Sequence, residues 1–405
     1  MSGVRRLLAI LLVAAAALPA STGAATRAES TLAPRLAKAL RVPHVAPTRS
    51  AAVAVDLETG EVVFRQRATR SLAPASTEKL PLTYVLLTAL GPQLRLETTA
   101  VARGTVSGGV LRGDIYLVGG GDPSLSRADL ASLARQVRAS GIARVTGRIF
   151  GDERLFDARR TAPGWKPSYY ISECAPLSAL VVDRARYGDH VTAAPALAAA
   201  LLFRDALARN GVTVAGTATT GAAPSASEPV AVVRSPTLAK LIATMDLESD
   251  NFTAEMLLKQ LGLLQAPQGS TAAGAQVVMR QLGADGIPLA GVRIVDGSGL
   301  SVLDRLTVDA LVAILRAMWD DPALRPALLR ALPVAGRSGT LSDRMRSPPL
   351  LGNVRAKTGT TRAASALAGY VKSRYVFAIL QNGAPISSWW ARKAQDRFAA
   401  VLATS

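Results

Sequence analysis

The chain has 405 residues, 49% hydrophobic and 19% charged, with 47 Lys and Arg against 29 Asp and Glu, a formal net charge of +18. These fractions are those of a globular protein and exclude a disordered or fibrous chain. The length allows two or three domains with sizeable cores. No basic run interleaved with aromatic residues is visible, so the sequence predicts no nucleic-acid partner.

The first residues predict export. Two arginines precede an apolar run at residues 7–18, and small residues follow at 20–25. A charged start, a short apolar run and a small-residue cleavage site are the parts of a signal peptide, so residues 1–25 are predicted to be one. The run is short for a membrane span, which favours a cleaved signal peptide. An uncleaved N-terminal anchor is the alternative. We expect an exported protein in the cell wall or periplasm, whose anionic envelope suits the positive charge.

Few residues are present that could serve other hydrolytic chemistries. The chain has one cysteine, Cys174, and two histidines, His44 and His190. It has no G-x-S-x-G elbow, no H-E-x-x-H or C-x-x-C motif and no Walker loop. Cys174 is typical of a small buried apolar residue. We therefore predict no metal and no cofactor, and we expect a serine nucleophile in this chain to use lysine as its base.

The first of three short motifs is S-T-E-K at residues 76–79. The run that follows, as far as Leu90, has no interior glycine and predicts a helix whose first turn holds Ser76 and Lys79, which are then neighbours. A free lysine is protonated at neutral pH. Burial, or a second cation such as Lys357, would lower its pKa and let it take the serine proton. The alternative is a serine helix cap followed by a solvent-facing lysine.

The second motif is Ser249-Asp250-Asn251. It would bring a hydroxyl and a carboxamide to the lysine and to the amide backbone of a substrate. Ser249 could pass a proton to a leaving amine, Asn251 could orient the substrate, and Asp250 is predicted to face away. The alternative is a polar cap on the helix that is predicted to start near Thr253.

The third motif is Lys357-Thr358-Gly359-Thr360. A strand edge with a cation and two hydroxyls suits a terminal carboxylate, and Gly359 lets another backbone approach closely. The N–H groups of Thr360 and Ser76 could bind an oxyanion. The alternative is the ordinary start of a hairpin. In this order, the motifs form the S-x-x-K, S-D-N and K-T-G set of penicillin-binding proteins and class A β-lactamases.

The stretch between the first two motifs differs in composition from its flanks. Residues 91–234 hold glycine-punctuated β-prone runs and helical segments, which predict an inserted smaller α/β domain. Residues 26–90 and 235–405 would then form the two parts of one larger domain. Within the insert, residues 218–230 are small and turn-forming and are predicted to be the linker back.

Short β-prone apolar runs predict the strands of the larger domain. Runs at 51–56 and 61–64 predict a hairpin, and runs at 366–371 and 375–380 predict a second pair. Residues 291–295 are predicted to be a further strand. The chain is expected to close with a helix at 389–402 that serves packing.

The chain resembles the class C low-molecular-mass penicillin-binding proteins, the D-alanyl-D-alanine carboxypeptidase/endopeptidase family. The resemblance implies an α/β fold in which a serine β-lactamase/transpeptidase-like domain, an antiparallel sheet with helices on both faces, is interrupted by an inserted smaller α/β domain. It also implies removal of the terminal D-alanine from peptidoglycan stem peptides. Beyond the three motifs, it extends over segments 74–77, 119–125, 175–180, 296–301, 332–336, 339–341 and 381–383.

The resemblance leads to a predicted mechanism with eight site residues. Ser76 attacks the D-Ala–D-Ala carbonyl and Lys79 accepts its proton. The other catalytic residues are Ser249, Asn251 and Lys357, and the substrate-binding residues are Thr358, Gly359 and Thr360. The predicted partners are peptidoglycan stem peptides and β-lactam antibiotics, with no stable protein partner.

One departure from the family and two rival functions accompany this prediction. After residues 183–185 the chain passes quickly to a predicted helix at 195–209, so a second inserted domain, typical of the family, is expected to be missing or reduced. The rival functions are a β-lactamase and a catalytically silent wall-binding scaffold. Because no E-x-x-L-N-like segment supplies a carboxylate for a deacylating water, penicillin acyl-enzymes are expected to persist.

Overall fold

The structure is a computed structural model that describes residues 25–405, with side chains from Leu32 onward. The predicted signal peptide, residues 1–25, lies outside the described residues except for Ala25, the first residue of the first helix. No helix in the described part combines the length and apolar character that a membrane span requires.

The described chain alternates strands and helices, and its two longest helices are the first and the last. The strands are β1 Ser50–Asp56, β2 Val62–Gln66, β3 Glu97–Ser107, β4 Val110–Val118, β5 Arg144–Val145, β6 Ile149–Asp152, β7 Arg186–Tyr187, β8 His190–Val191, β9 Thr213–Val214, β10 Ala218–Thr220, β11 Glu228–Arg234, β12 Val354–Thr360, β13 Ala364–Val371 and β14 Tyr375–Asn382. The helices are α1 Ala25–Leu40, α2 Lys79–Leu90, α3 Arg127–Ala139, α4 Pro195–Arg209, α5 Leu238–Leu247, α6 Asn251–Gly262, α7 Thr271–Ala284, α8 Val308–Asp320, α9 Arg325–Ala331 and α10 Ser388–Ala403.

The central sheet has five antiparallel strands in the order β12-β13-β14-β1-β2. The two predicted strand pairs, β1 with β2 and β13 with β14, are confirmed. Every residue of β1 is buried, because alternate residues face opposite sides of a strand and both sides are covered. Val53 joins the core beneath α2 and α5–α9, and Ala52 joins the core beneath α1 and α10. The third motif therefore lies on an edge strand, β12.

A second sheet is built from residues between the first two motifs. Its strands run β10-β6-β4-β3-β11, with β5 and β9 attached beside β4. Helices α3 and α4 pack on it through the core that contains Leu133 and Phe203. The chain enters and leaves this sheet side by side, because Ser235 N–H donates to the Leu96 carbonyl at 2.8 Å and Leu96 N–H donates to Ser235 Oγ at 2.9 Å.

Two secondary-structure predictions were wrong. Residues 218–230, predicted to be a linker, contain β10 and the start of β11, which lie at the two ends of the second sheet. The free N–H and C=O groups at the edge of a sheet can pair with a further segment, so the pairing depends on the fold and not on the composition of that segment. Residues 291–295 form no regular strand, and Arg293 makes a single bridge to Arg305. Asp304 Oδ1 accepts the N–H of Val295 at 2.8 Å, which replaces a ladder bond.

The connection from β6 to α4 packs against helix α6. Phe156 and Leu177 share a buried cluster with Phe252 and Met256 of α6. After residue 185 the chain forms only the small hairpin β7-β8 before α4 begins. The insert therefore reaches the first turn of α6, where the second motif lies.

Candidate active site

Ser76 lies in a tight turn that leads into a buried helix. The sequence predicted one helix from Ser76 onward, whereas the structure has a short 3₁₀ helix, Ala75–Glu78, followed by α2. Ala75 has a φ of 47°, a left-handed conformation that is uncommon for a residue with a Cβ. The turn leaves Ser76 partly exposed while Thr77, Glu78 and Lys79 are buried. The hydroxyl is thus presented to the cleft from a rigid support.

The Lys79 amine is fully buried and has three oxygen partners. Its Nζ lies 3.2 Å from Ser76 Oγ, 2.9 Å from Asn251 Oδ1 and 2.8 Å from the Ser298 carbonyl oxygen. Burial lowers the pKa of Lys79, and the nearby carboxylates of Asp296 and Asp246 oppose this shift. In its neutral form the amine can donate to Asn251 and Ser298 and accept the Ser76 proton with its lone pair.

A second buried lysine faces Ser249. Lys357 Nζ donates to Ser249 Oγ at 2.9 Å and to the Thr358 carbonyl at 3.0 Å. Burial and the positive charge of Lys79 lower the pKa of Lys357 to about 7, against an opposing effect of Asp246. Ser249 has a φ of 58°. This left-handed backbone conformation sets the direction of its hydroxyl.

The other two residues of the second motif have different surroundings. Asp250 caps α6, since its Oδ1 accepts the Phe252 N–H at 3.1 Å, and it pairs with Arg184. It therefore faces away from Lys79 and Lys357, as predicted, and α6 begins at Asn251, close to the predicted start near Thr253. The Asn251 carboxamide spans the site, because its Nδ2 donates to the Glu173 carbonyl at 3.1 Å while its Oδ1 meets Lys79.

The edge strand β12 lies directly against the Ser76 turn. A Cβ on Gly359 would be 2.8 Å from the Pro74 carbonyl oxygen and 3.1 Å from Ser76 N, so only glycine allows this approach. Thr358 Oγ1 donates to Thr340 Oγ1 at 2.7 Å, and Thr360 lines the cleft. The structure therefore brings all eight predicted site residues to one place.

The cleft in front of Ser76 has a volume of about 870 Å³ and is lined by all three motifs. Its far wall is formed by residues that the sequence analysis assigned to packing. Helix α10 does pack through its buried face, but Trp389 is 61% exposed and lines the cleft with Arg392 and Lys393. The sequence feature that could have indicated this wall is the run of aromatic and basic residues in the closing helix.

The Ser298 carbonyl is also a functional group that the sequence analysis missed. Segment 296–301 carried part of the family resemblance, but nothing linked it to Lys79. The described residues contain no group of three or more His, Cys, Asp or Glu placed to hold a metal ion. The donors that converge on the cleft are hydroxyls, amines and amides, a set suited to acyl transfer.

Known proteins are similar to this chain in sequence. The family model of D-Ala-D-Ala carboxypeptidase 3 (S13) matches residues 32–196 and 190–405. The D-alanyl-D-alanine carboxypeptidase of Actinomadura sp. (strain R39) is 30% identical over 435 residues, covering 85% of this chain and 79% of that protein. The carboxypeptidase DacB of Mycolicibacterium smegmatis is 34% identical over 417 residues, covering 95% of this chain and 86% of the relative.

A solved structure supports the fold. Penicillin-binding protein 4 of Haemophilus influenzae has a TM-score of 0.79 at 22% identity and covers 92% of this chain and 98% of its own. The predicted fold class, a transpeptidase-like domain interrupted by an inserted domain, is confirmed by this likeness. Because the family model spans most of the chain, the chain belongs to the D-Ala-D-Ala carboxypeptidase 3 (S13) family.

Proposed function

We propose that this protein is a serine-type D-Ala-D-Ala carboxypeptidase that acts on peptidoglycan stem peptides through an acyl-enzyme on Ser76. The observation that carries the proposal is the distance of 3.2 Å between Ser76 Oγ and the buried Lys79 Nζ. Relatives named D-alanyl-D-alanine carboxypeptidases, similar over most of their length, support the substrate class. Serine is a weak nucleophile unless a neighbouring base accepts its proton, and Lys79 is the base within reach.

Acylation begins when neutral Lys79 accepts the Ser76 proton. Ser76 Oγ attacks the carbonyl carbon of the penultimate D-alanine, and the backbone N–H groups of Ser76 and Thr360 stabilise the oxyanion. Asn251 orients both Lys79 and the peptide. The close approach at Gly359 keeps β12 beside the turn, so the two N–H groups stay together.

The terminal D-alanine then leaves. Ser249, whose hydroxyl is held by Lys357 at 2.9 Å, delivers a proton to the departing amine, and the proton that Lys79 took from Ser76 replaces it. Lys357, Thr358 and Thr360 hold the terminal carboxylate, for which a cation and two hydroxyls are suitable partners. Water then attacks the acyl carbon while Lys79 accepts one of its protons, and Lys79 passes that proton to Ser76 Oγ as the ester bond breaks, which restores neutral Lys79 and the serine hydroxyl.

β-Lactams acylate the same serine in this mechanism. The Haemophilus influenzae protein with the same fold has been solved in complex with a β-lactam. A peptidase forms a penicillin adduct that persists, a β-lactamase turns penicillin over rapidly, and a wall-binding scaffold forms no adduct. The lifetime of the adduct therefore separates the three functions.

Substitution of Ser76 tests the proposal. Ser76→Ala is expected to abolish both covalent labelling by a fluorescent penicillin and D-alanine release from diacetyl-Lys-D-Ala-D-Ala. The matched control is Ser342→Ala, which removes an exposed hydroxyl from the same cleft and is expected to leave both signals intact. Labelling that survives in Ser76→Ala would show that another residue is the nucleophile.

The domain boundaries and the location of the protein are parts of the same proposal. Residues 26–90 and 235–405 form the catalytic domain, 91–234 form the insert, and 1–25 are removed on export. The side-by-side passage of the chain at Leu96 and Ser235 supports the insert. Edman sequencing of the protein recovered outside the cytoplasm is expected to begin near residue 26, and a chain that still begins at Met1 would contradict cleavage.

A further inference from the structure

One of the three partners of the Lys79 amine is a backbone carbonyl. Ser298 O accepts from Lys79 Nζ at 2.8 Å, the shortest of the three contacts of that amine. A backbone carbonyl points where its loop directs it, so the position of Lys79 depends on whatever fixes the loop at residues 296–299. This loop, D-G-S-G, follows no regular strand and needs support from elsewhere.

The support comes from Glu255. Its Oε1 accepts the N–H of Gly297 at 3.0 Å and the N–H of Ser298 at 2.8 Å, and the Glu255 side chain is fully buried. The N–H of Ser298 belongs to the residue whose carbonyl meets Lys79. Any movement of Glu255 is therefore transmitted to the catalytic amine through one residue.

Glu255 lies on the same helix as a direct partner of the amine. It follows Asn251 by four positions in α6, so both side chains project from one helix face. Asn251 contacts Lys79 directly, and Glu255 reaches it through Ser298. Helix α6 thus determines two of the three contacts of the Lys79 amine, the one with Asn251 directly and the one with the Ser298 carbonyl through Glu255.

We propose that Glu255 is a positioning residue that holds Lys79 Nζ in line with Ser76 Oγ by fixing the Ser298 carbonyl. The inference rests on the proposed function only in that Ser76 and Lys79 are the reacting pair. It assigns no contact between Glu255 and the substrate, because Glu255 is fully buried behind the loop.

The far side of the loop is fixed independently, so the loop has little freedom to adapt when Glu255 is changed. Asp296 accepts the N–H of Gly299 at 2.7 Å and the indole N–H of Trp165, from the insert, at 2.8 Å. A Cβ on Gly299 would be 2.0 Å from the Ala75 carbonyl oxygen. The loop is thus held between α6 and the Ser76 turn.

The role requires an acceptor oxygen, not a negative charge. Burial and the nearby charge of Asp296 raise the pKa of Glu255 to about 8, although the two N–H donors oppose this. A protonated carboxyl group keeps one oxygen free to accept both N–H groups. Glutamine offers the same oxygen in a side chain of the same length, whereas methionine fills the space without an acceptor.

Three variants of Glu255 test the proposal. Glu255→Met is expected to lower kcat and the rate of acylation by penicillin by about 10²-fold, because small displacements of a catalytic group have effects of this size. KM is expected to change little, since no substrate contact is lost. Glu255→Gln is expected to restore most of the rate. Glu248→Gln, an exposed glutamate at the end of α5, is the matched control and is expected to behave as the unmodified protein.

Thermal unfolding of each variant separates positioning from general stability. If Glu255→Met does not fold, Glu255→Asp serves in its place, because it keeps a carboxylate but withdraws it by one methylene, and the same loss of kcat at constant KM is expected. A folded Glu255→Met or Glu255→Asp protein with an unchanged acylation rate would overturn the inference. So would a Glu255→Gln protein as slow as Glu255→Met, which would show that charge is required. Failure of the Ser76→Ala test would instead overturn the proposed function.

Discussion

Lys357 donates to Ser249 Oγ at 2.9 Å from a fully buried position. Burial and the charge of Lys79 lower the pKa of Lys357 to about 7. Lys357 is therefore an ammonium ion below about pH 7 and a neutral amine above it. The proposed carboxylate clamp therefore loses its cation as the pH rises through about 7.

KM for a peptide ending in D-Ala-D-Ala is accordingly expected to rise as the pH passes about 7. The cause is the loss of the charge that attracts the terminal carboxylate, and the measurement is KM between pH 5.5 and 9. A peptide with an amidated C-terminus is the control, and its KM is expected to vary much less. Equal pH dependence of the two substrates would contradict a carboxylate clamp at Lys357.

The left-handed backbone of Ser249 leads to a prediction about stability. With a φ of 58°, a residue with a Cβ is strained, whereas glycine is not. Ser249→Gly is expected to be more stable than Ser249→Ala by about 1 kcal/mol, while both lose the proton-relaying hydroxyl and turn over slowly. Urea unfolding compares the two variants, and equal midpoints would indicate that the turn relaxes in the alanine protein.

The parts of the site that sequence predicted are those carried by side chains in short motifs. Ser76 and Lys79 are three residues apart, and Lys357 begins a tripeptide of known chemistry, so local spacing sufficed. The Ser298 carbonyl could not be predicted in this way, because every residue has a carbonyl and only the fold decides where it points. Glu255 was missed for the same reason: its importance depends on the loop that its helix happens to face.

The parts of the fold that sequence missed depend on tertiary pairing. Strand β11 forms because β3 offers it an edge, with Arg234 opposite Glu97, and its own residues looked like a linker. Conversely, residues 291–295 have a β-prone composition but lie where Asp304 takes the place of a neighbouring strand. Buried strands with two neighbours, such as β13 and β14, were predicted because their apolar runs leave few alternatives.

The approach of β12 to the Ser76 turn predicts a sensitive glycine. Gly359→Ala places a Cβ 2.8 Å from the Pro74 carbonyl oxygen, so the strand must move away from the turn. The N–H groups of Thr360 and Ser76 then separate, and acylation by penicillin is expected to slow by about 10²-fold. The control is Gly283→Ala in α7, whose Cβ meets only Leu289 Cδ1 at 3.3 Å. Normal acylation in Gly359→Ala would contradict the oxyanion site.

The cap of α6 predicts which contacts of Asp250 matter for stability. Its Oδ1 accepts the Phe252 N–H at 3.1 Å, and its Oδ2 accepts from Thr253 Oγ1 at 2.7 Å. Asp250→Ala removes these bonds and is expected to lower the free energy of unfolding by about 1–2 kcal/mol. Asp250→Asn keeps a good capping group, so its free energy of unfolding is expected to fall by less than that of Asp250→Ala.

The partner of Asp250 provides the matched comparison. The Arg184 side chain is 53% exposed, and ion pairs with an exposed member contribute at most about 1 kcal/mol. Arg184→Ala is therefore expected to be closer in stability to the unmodified protein than Asp250→Ala is, by urea unfolding. Because Asn251 follows the cap directly, Asp250→Ala is also expected to slow acylation, while Arg184→Ala leaves it unchanged. The reverse order of stabilities would mean that the ion pair, and not the cap, holds the start of α6.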